Sequence, residues 1–250
     1  MILTIAAHKG GVGKTTTAAA IAQALRAKSK RNKVLLIDTD NQRSASTIYK
    51  ASEEAPGLYE VIRGAARASE AIQSTPAGEI IPGSRKLYAL DAELSDEAGR
   101  DFFLRKALEE IRGEYTHIVI DTAPGRGTCL IQSLVAADGV LIPIQCNAQA
   151  FNGVNQTIDT IERVKTYCNE DLKLYGLLIT RYQPRTNLAR QYEGLIEKEA
   201  KAKGTKVIKT RIRQGVAIEE AQALRKDLYN YAPKSKPAED YMQLVKELKL

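Results

Sequence analysis

Short, continuously apolar segments alternate with helix-forming segments along almost the whole chain, and this alternation is the feature that most limits its fold. The five clearest apolar segments are ILTIAA (2–7), KVLLID (33–38), THIVID (116–121), GVLIPIQ (139–145) and LKLYGLLIT (172–180). A strand that is apolar at every position is buried on both faces, as in a parallel sheet covered by helices. The sequence therefore predicts an α/β fold with a doubly wound, mostly parallel sheet flanked by helices.

Weaker patterns complete this prediction. Further strands are predicted at 79–82, 86–90 and 205–212, and helices at 15–27, 100–111, 127–137, 153–167, 187–202 and 237–248. The chain has no internal repeat and no long linker, and 250 residues suit one α/β domain. We therefore expect a single domain, residues 1–250.

Composition excludes several classes of protein. No run of about 18 apolar residues is present, so a membrane-spanning helix is not expected. The amino terminus runs directly into a strand pattern and has no secretory signal. The three cysteines, Cys129, Cys146 and Cys168, have no metal-binding spacing and are expected to be reduced thiols of a cytoplasmic protein.

A glycine-rich stretch, HKGGVGKTT (8–16), joins the first strand to the first helix. It resembles the phosphate-binding pattern G-x-x-x-x-G-K-[ST], but His8 takes the place of the first glycine and Lys9 is an additional lysine. Glycines let successive backbone N–H groups turn toward a phosphate, and the helix start adds positive potential. In such a loop Lys14 is placed for the β- and γ-phosphates, the Thr15 hydroxyl for Mg²⁺ and Thr16 for the α-phosphate.

Three aspartates stand at the ends of predicted strands. Asp38 and Asp40 end the second strand, and Asp121 ends the strand THIVID. Open α/β sheets bind their ligands at this edge, and phosphoryl transfer requires a metal and a positioned water. Asp121 is predicted to hold a Mg²⁺-bound water and Asp40 to orient the attacking water, while Asp38 is either an acid on the Mg²⁺ side or a structural one.

The excess of positive over negative charge comes from one segment. The chain carries a formal charge of +7, and the segment from Arg181 to Arg213 holds ten basic and three acidic residues, which accounts for all of it. A neutral body with one basic segment indicates contact with a polyanion. The alternative is a solvated helix face whose lysines serve solubility.

Three motifs together resemble the ParA/MinD superfamily of ATPases. KGGVGKTT (9–16) is similar to its deviant Walker A loop, LLIDTDNQ (35–42) to its switch I and VIDTAPG (119–125) to its switch II. The similarity extends over nearly the whole chain, through the segments VLIPIQCNAQAFNGV (140–154), LLITRYQPRTNLARQ (177–191) and AEDYMQLVKEL (238–248). Switch I departs from the family pattern D-x-D-P-Q because Asn41 replaces the proline.

The resemblance implies a P-loop ATPase with ATP and Mg²⁺ as cofactors. The catalytic residues would be Lys9, Lys14 and Asp40, and the metal would be held by Thr15, Asp38 and Asp121. In this family the residue matching Lys9 reaches the phosphates of the partner subunit's nucleotide, so a homodimer that forms with ATP is expected. The implied nucleotide-binding residues are Lys9, Gly10, Gly11, Val12, Gly13, Lys14, Thr15, Thr16, Thr180 and Arg181.

ParA-like members bind DNA nonspecifically as ATP-bound dimers, which suits the basic segment. The implied DNA contacts are Arg185, Lys203, Lys206, Lys209, Arg211 and Arg213. One family stretch that contributes two arginines reads here as residues 213–222, with Gln214 and Ala217 at those positions. The resemblance further implies a centromere-binding or cargo-adaptor protein that stimulates ATP hydrolysis, and a cytoplasmic, nucleoid-associated location.

Two questions separate the family members. The phosphate loop begins within ten residues of Met1, so we expect a small ParA-type protein without an amino-terminal helix-turn-helix domain. A MinD-type, membrane-associated regulator is the alternative. Its carboxyl-terminal membrane helix has a Lys/Arg-rich polar face, whereas the segment 238–248 mixes acidic and basic residues. We therefore expect the last helix to pack on the sheet and no stable membrane association.

Overall fold

The computed structural model describes residues 1–147, 150–184 and 186–250, and for residues 150–152, 187 and 188 it describes the backbone alone. The described part contains seven strands: β1 (Ile2–Ile5), β2 (Val34–Asp38), β3 (Gln73–Thr75), β4 (Gly78–Ile81), β5 (His117–Asp121), β6 (Gly139–Gln145) and β7 (Lys173–Thr180). They form one sheet in the order β3-β4-β2-β5-β1-β6-β7, in which only the β3–β4 pair is antiparallel. The predicted α/β fold with a doubly wound, mostly parallel sheet is confirmed.

Helices cover both faces of this sheet. The described part contains α1 (Lys14–Lys28), α2 (Ser44–Tyr49), α3 (Leu58–Ile62), α4 (Leu90–Glu93), α5 (Phe103–Arg112), α6 (Thr128–Ala136), α7 (Ala150–Tyr167), α8 (Asn187–Ala202), α9 (Val216–Ala223), α10 (Leu228–Tyr231) and α11 (Lys236–Glu247). The longer helices were predicted to within a few residues, whereas the short helices α2, α3, α4, α9 and α10 were missed. Short helices of this kind show too few turns for a hydrophobic period to be recognised.

Successive residues of a central strand face two separate hydrophobic cores. In β2, Leu35 and Ile37 pack into the core beneath α5, α6 and α7, while Val34 and Leu36 pack into the core beneath α1 and α11. All four side chains are buried. This two-sided burial explains why β2 is apolar at every position until it reaches Asp38.

Parallel pairing brings the ends of three strands together. Asp38 at the end of β2 lies opposite Asp121 at the end of β5, and Asp121 lies opposite Ile5 at the end of β1. The glycine-rich loop follows β1 directly. The sheet therefore places the loop and both aspartates at one edge, as the sequence predicted.

The strand predicted at 86–90 is wrong. Residues Arg85–Ala89 form a 3₁₀ helix, and the Ser84 hydroxyl caps it by accepting a hydrogen bond from the backbone N–H of Lys86. Leu87 and Leu90 are buried, whereas Tyr88 between them is 75% exposed. A spacing of three residues between buried side chains matches one 3₁₀ turn, not the period of two of a strand.

The strand predicted at 205–212 is also wrong. This segment meets β7 at an isolated bridge of Leu177 with Val207, through the N–H of Ile212, which donates to the Ile179 carbonyl at 2.9 Å, and, one residue further on, at a bridge of Tyr182 with Arg213. The backbone N–H groups of Lys209 and Thr210 instead donate to the Glu247 carboxylate of α11, each at 2.8 Å. A side chain of the last helix thus takes donors that a neighbouring strand would otherwise have used.

Helix α11 was expected to pack on the sheet; it joins the hydrophobic core on one face of the sheet and packs there mainly against α1. Its apolar stripe, Tyr241, Leu244, Val245 and Leu248, is buried, and the Tyr241 hydroxyl is 3.0 Å from that of Thr17 in α1. Among the described helices, none is long and apolar enough to cross a membrane.

Candidate functional site

The phosphate loop has the backbone geometry that a bound anion needs. Gly11 and Gly13 have φ angles of 75° and 93°, in the left-handed region where a side chain is strained. A Cβ atom added at Gly10 or Gly11 would have no neighbour within 4 Å, so this part of the loop faces open space. Gly13 immediately precedes α1, whose amino terminus therefore points its unpaired N–H groups at the loop.

Lys14 lies inside the site rather than on the surface. Only 6% of it is exposed, and its ammonium group donates a 2.9 Å hydrogen bond to the backbone carbonyl of Lys9. Burial lowers the pKa of Lys14, and the nearby carboxylates of Asp121 and Asp40 oppose this change. The structure thus brings the three predicted residues Lys14, Asp40 and Asp121 into one electrostatic group.

The carboxylate of Asp38 is fully used by its own neighbours. One oxygen accepts the backbone N–H of Asp40 at 3.0 Å, and the other accepts the backbone N–H and the hydroxyl of Ser46 at 2.8 and 2.7 Å. Burial raises the pKa of Asp38, and these hydrogen bonds oppose that effect. Of the two roles considered for Asp38, the structure favours the structural one, which holds the segment after β2 in place.

The carboxylate of Asp121 is in the opposite state. Both of its oxygens are buried, and neither has a hydrogen-bond partner within the described residues. Burial, and next the Asp38 carboxylate, raises the pKa of Asp121 well above its usual range, while the Thr15 hydroxyl and Lys14 oppose this. A buried carboxylate that no donor reaches at full hydrogen-bond distance is expected to be completed by a ligand, because leaving it unpaired is costly.

These residues fit a magnesium ion that is shared with phosphate groups. Thr15 is close enough to affect the Asp121 carboxylate, and both are hard oxygen donors of the kind Mg²⁺ prefers. No cluster of three or more His, Cys, Asp or Glu side chains in the described parts of the chain could hold a metal alone. The donor set therefore suits an ion that keeps waters and binds to the phosphates of a nucleotide.

Asp40 borders a cavity of about 470 Å³ at the same edge of the sheet. The Asp40 side chain is held by the backbone of its own segment, because one carboxylate oxygen accepts a hydrogen bond from the N–H of Gln42 at 2.9 Å. Tyr88, Gly125 and Arg126 also line this cavity. The role predicted for Asp40, orienting the attacking water, stays a prediction, and this cavity is where that water would lie.

A glycine that sequence reasoning missed determines where the Asp38–Asp40 segment lies. The N–H of Gly83 donates to the Ser46 hydroxyl at 2.9 Å, and its carbonyl accepts the Nε–H of the buried Arg43 at 2.8 Å. A Cβ atom at Gly83 would lie 2.7 Å from the Asp40 carbonyl oxygen and 3.1 Å from the Asp38 side chain. Only glycine leaves room for this close approach, and no local sequence pattern announces it.

The predicted residues at the other side of the loop divide into two groups. The Thr180 hydroxyl donates to the carbonyl of Val12 at 2.8 Å, so Thr180 supports the loop. Arg181 is exposed, and its guanidinium lies 3.9 Å from the Glu219 carboxylate.

Two glutamines that the sequence did not point out also contact the site. Gln145 donates to the carbonyl of Gly11 at 2.7 Å, and Gln222 to the Thr16 hydroxyl at 3.1 Å.

The basic segment is not uniform. Arg211 is 16% exposed at its side chain and lies 2.7 Å from Glu193 and 3.4 Å from Glu197. Arg213 binds the Asp240 carboxylate through Nε and Nη2, at 2.7 to 3.0 Å. Both arginines are thus engaged within the protein.

The predicted lysines of the same segment differ from these arginines. Lys203, Lys206 and Lys209 are exposed, and none takes part in an ion pair among the described residues. Arg185 lies outside the described residues. The charge available to a polyanion therefore comes from lysines more than from the arginines at 211 and 213.

Comparison with known proteins identifies the family. A family described as AAA domain matches residues 1–174. The sporulation initiation inhibitor protein Soj of Bacillus subtilis (strain 168) is 36% identical over 252 residues, which cover 99% of this chain and 97% of Soj. The chain belongs to the Soj/ParA family of partitioning ATPases. The chromosome partitioning protein ParA of Caulobacter vibrioides is likewise 36% identical over 254 residues, covering 99% of this chain and 93% of that ParA.

A solved structure with a bound nucleotide is also similar to this chain. Cobyrinic acid a,c-diamide synthase from Mycobacterium smegmatis, crystallised with an ATP analogue and magnesium, superposes with a TM-score of 0.85 at 30% identity. The superposition covers 98% of this chain and 92% of that one. The predicted family, fold class and ATPase class are confirmed by these comparisons, and the cofactors ATP and Mg²⁺ agree with them.

Proposed function

We propose that residues 1–250 form one ParA-type ATPase domain that binds ATP with Mg²⁺ at the phosphate loop and hydrolyses it to ADP and phosphate. The observation that carries this proposal is the buried Asp121 carboxylate, which has no partner at hydrogen-bond distance among the described residues, although Thr15 and Lys14 lie close enough to lower its pKa. Mg²⁺, when bound, neutralises charge on the β- and γ-phosphates. Thr15 would hold the ion, and Asp121 would accept a hydrogen bond from a water molecule bound to it.

The remaining roles follow from placement. Lys14 contacts the β- and γ-phosphates once the nucleotide displaces its bond to the Lys9 carbonyl. Asp40 orients the attacking water in the cavity beside the β5–α6 loop (122–127). The backbone from Gly10 to Gly13 surrounds the phosphates, Thr16 reaches the α-phosphate, and Thr180 and Arg181 lie toward the base.

The second lysine of the loop is assigned to dimerisation. Lys9 is partly exposed at the open side of the loop. Two nucleotides bound face to face bring many negative charges together, and a lysine from each subunit that reaches the partner's phosphates offsets this repulsion. Such a contact makes the dimer depend on the triphosphate, by the logic of an arginine finger supplied in trans.

Two loop variants test the ATPase and the dimer separately. Lys9→Ala should still bind ATP but remain a monomer in light scattering, whereas Lys14→Gln should lose productive nucleotide binding itself. Wild-type chain with ATP should form a dimer, and with ADP a monomer. A Lys9→Ala chain that dimerises with ATP as the wild type does would remove the role in trans.

The ATP-bound dimer is proposed to bind DNA without sequence preference. Lys203, Lys206 and Lys209 are exposed, and a dimer presents them twice, so that weak phosphate contacts combine. With a centromere-binding or cargo-adaptor protein that stimulates hydrolysis, the ATPase would cycle on and off the nucleoid. This cycle would partition a plasmid or chromosome, or position another cargo.

The DNA proposal is tested by a gel shift with unrelated duplexes at several salt concentrations. Replacing Lys203, Lys206 and Lys209 by Glu should abolish binding in the presence of ATP and leave dimerisation intact. A matched control replaces three exposed basic residues outside the segment, Lys30, Arg105 and Lys106, by Glu. Loss of binding in both variants would indicate a general effect of net charge and contradict a localised surface. Arg211 and Arg213 are unsuitable for this test because their carboxylate partners would be left unpaired.

A MinD-type membrane regulator remains the second candidate, and the buried stripe of α11 argues against it. Tyr241, Leu244 and Val245 are at most 1% exposed, so this helix cannot insert into a bilayer without leaving the core. Co-sedimentation with anionic liposomes or with plain DNA, each with ATP, separates the two candidates. Liposome binding without DNA binding would favour the membrane regulator.

A further inference from the structure

His8 joins the phosphate loop to two other elements. Its backbone N–H donates to the Thr157 hydroxyl of α7 at 3.0 Å, and its carbonyl accepts the N–H of Gly125 in the β5–α6 loop at 3.1 Å. The Thr157 hydroxyl in turn donates to the carbonyl of Gly153 at 2.7 Å. The residue that replaces the first glycine of the usual phosphate-loop pattern is therefore bonded on both sides through its backbone alone.

The imidazole of His8 contacts the same two elements as its backbone, the β5–α6 loop and α7. Arg126, which follows Gly125, donates its Nε–H toward Nδ1 at 3.4 Å, and Nε2 lies 3.1 Å from the Thr160 hydroxyl. That hydroxyl already donates to the carbonyl of Gln156 at 3.0 Å, so it accepts from Nε2. The contacts require a neutral ring with the proton on Nε2, because Nδ1 must keep its lone pair for Arg126.

Two neighbours of His8 belong to the site. Lys9 packs against the first turns of α7 so closely that a Cβ atom at Gly153 would lie 3.0 Å from the Lys9 Cβ. Arg126 lines the 470 Å³ cavity that Asp40 borders. A change in the position of His8 would therefore move Lys9, which is proposed to reach the partner subunit's phosphates, and Arg126, which lines the same cavity as Asp40.

We propose that His8 is a positioning residue whose neutral imidazole fixes the β5–α6 loop and α7 to the phosphate loop, so that Lys9 and Arg126 are held for ATP turnover. The part that concerns turnover rests on the proposed ATPase function. The part that concerns the contacts of the imidazole does not, and it can be measured without ATP.

The surroundings of His8 maintain the neutral ring at physiological pH. Burial is the largest cause that lowers the pKa of His8, followed by Arg126 and then by Lys14. The residues of α7 that face the imidazole, Thr157 and Thr160, do not titrate in this range. Protonation would place an N–H at Nδ1 against the Arg126 guanidinium, so acid should break the Arg126 contact and leave only the backbone bond from Gly125 between the β5–α6 loop and His8.

The contacts are tested by nitrogen-15 NMR of the full-length chain without nucleotide. The chain has two histidines, and His117→Gln removes the other one, which leaves the signal of His8. We expect the Nε2-protonated tautomer and a pKa below that of an exposed histidine. Arg126→Ala should raise this pKa, because it removes a positive charge. An Nδ1-protonated ring, or a pKa that Arg126→Ala leaves unchanged, would overturn the proposal.

Turnover tests the consequence. His8→Ala should lower kcat on the order of tenfold to a hundredfold through displaced groups, with little change in KM for ATP. His8→Gln should recover most of the rate, because its amide can both accept from Arg126 and donate to Thr160. It should also lose the acid limb of the pH profile that His8 imposes. The matched control, His117→Gln, alters a histidine at the opposite end of β5 and should behave as wild type.

The outcomes separate the two proposals. A wild-type chain that hydrolyses no ATP under any tested condition would contradict the proposed function, and the NMR measurements would still decide the contacts of His8. Active wild-type chain together with an equally active, folded His8→Ala variant would overturn the positioning role alone. If His8→Ala does not fold, the rate and pH profile of His8→Gln and the Arg126→Ala titration decide in its place.

Discussion

The ends of β2 and β5 carry the same side chain opposite each other in register, yet the two aspartates have opposite surroundings. Asp38 accepts three hydrogen bonds from the segment that follows it, whereas Asp121 accepts none within the described residues. Both are fully buried. The difference shows that burial of an acid does not by itself indicate its function. The acid completed by its own chain builds the site, and the uncompleted one is available to a ligand.

The largest effect is expected at Asp121, on activity. Asp121→Asn should lower Mg²⁺-dependent ATP hydrolysis by about a hundredfold or more, since a charge that stabilises the metal is lost. We expect the same variant, without nucleotide, to gain about 1–3 kcal/mol in the free energy of unfolding at pH 7. Hydrolysis assays and urea unfolding measure the two effects.

The sign of this stability change follows from the pKa. The folded-state pKa of Asp121 is raised, so the folded protein binds its proton more tightly than the unfolded chain does. The contribution of Asp121 to the free energy of unfolding is therefore most favourable below the pKa that Asp121 has in the unfolded chain. It is lost as pH rises through the pKa that Asp121 has in the folded protein. The advantage of Asp121→Asn over wild type should therefore grow from pH 4 to pH 7. A variant that is less stable at pH 7 would mean that Asp121 has a stabilising partner.

The next effect is expected at Asp38, where the change in the free energy of unfolding has the opposite sign. Asp38→Asn should lower the free energy of unfolding by about 2–3 kcal/mol, because an amide nitrogen would then face a backbone N–H that has no other partner. Urea unfolding of this variant beside Asp121→Asn compares the two strand ends directly. Equal changes in both variants would contradict the assignment of a structural role to Asp38 alone.

The smallest effect is expected at Ser46, whose hydroxyl bonds to Asp38 at the end of β2 and to the N–H of Gly83. Ser46→Ala removes the hydroxyl that donates to Asp38 and accepts from the N–H of Gly83, and should cost about 1–2 kcal/mol. Because Asp40 lies in the same segment, turnover should fall while ATP affinity is retained. Thermal unfolding and steady-state kinetics test this. A loss of ATP affinity as large as the loss of rate would show that the Asp38 network also forms part of the nucleotide site.

Much of the site could be predicted because its signals are local. The apolar run before each strand-end aspartate, and the glycines between β1 and α1, are contiguous in sequence. Parallel strands share one edge, so the pattern also predicted that Asp38 and Asp121 would be neighbours. What local patterns could not distinguish was the state of the two acids, since the donors that complete Asp38 include Ser46, eight residues further along the chain.

The inaccurate predictions for the segment 205–213 share one physical origin. At 205–212 the backbone donors go to Glu247, and the charges of Arg211 and Arg213 go to Glu193 and Asp240. Each partner comes from α8 or α11. Strand propensity and charge count describe a segment by itself, whereas hydrogen bonds and ion pairs are decided by whatever the fold places beside it.

The sequence by itself determined the order of the five clearest strands and the longer helices, the phosphate loop and the edge of the sheet at which the aspartates meet, because these depend on hydrophobic period and on glycine within short windows. Only the tertiary structure decided that Asp38 is satisfied and Asp121 is not, that Gly83 must lack a side chain, and that His8 links three elements. Hydrogen-bond partners and close contacts across 40 to 150 positions of chain arise from packing, which brings together residues that no window of the sequence contains.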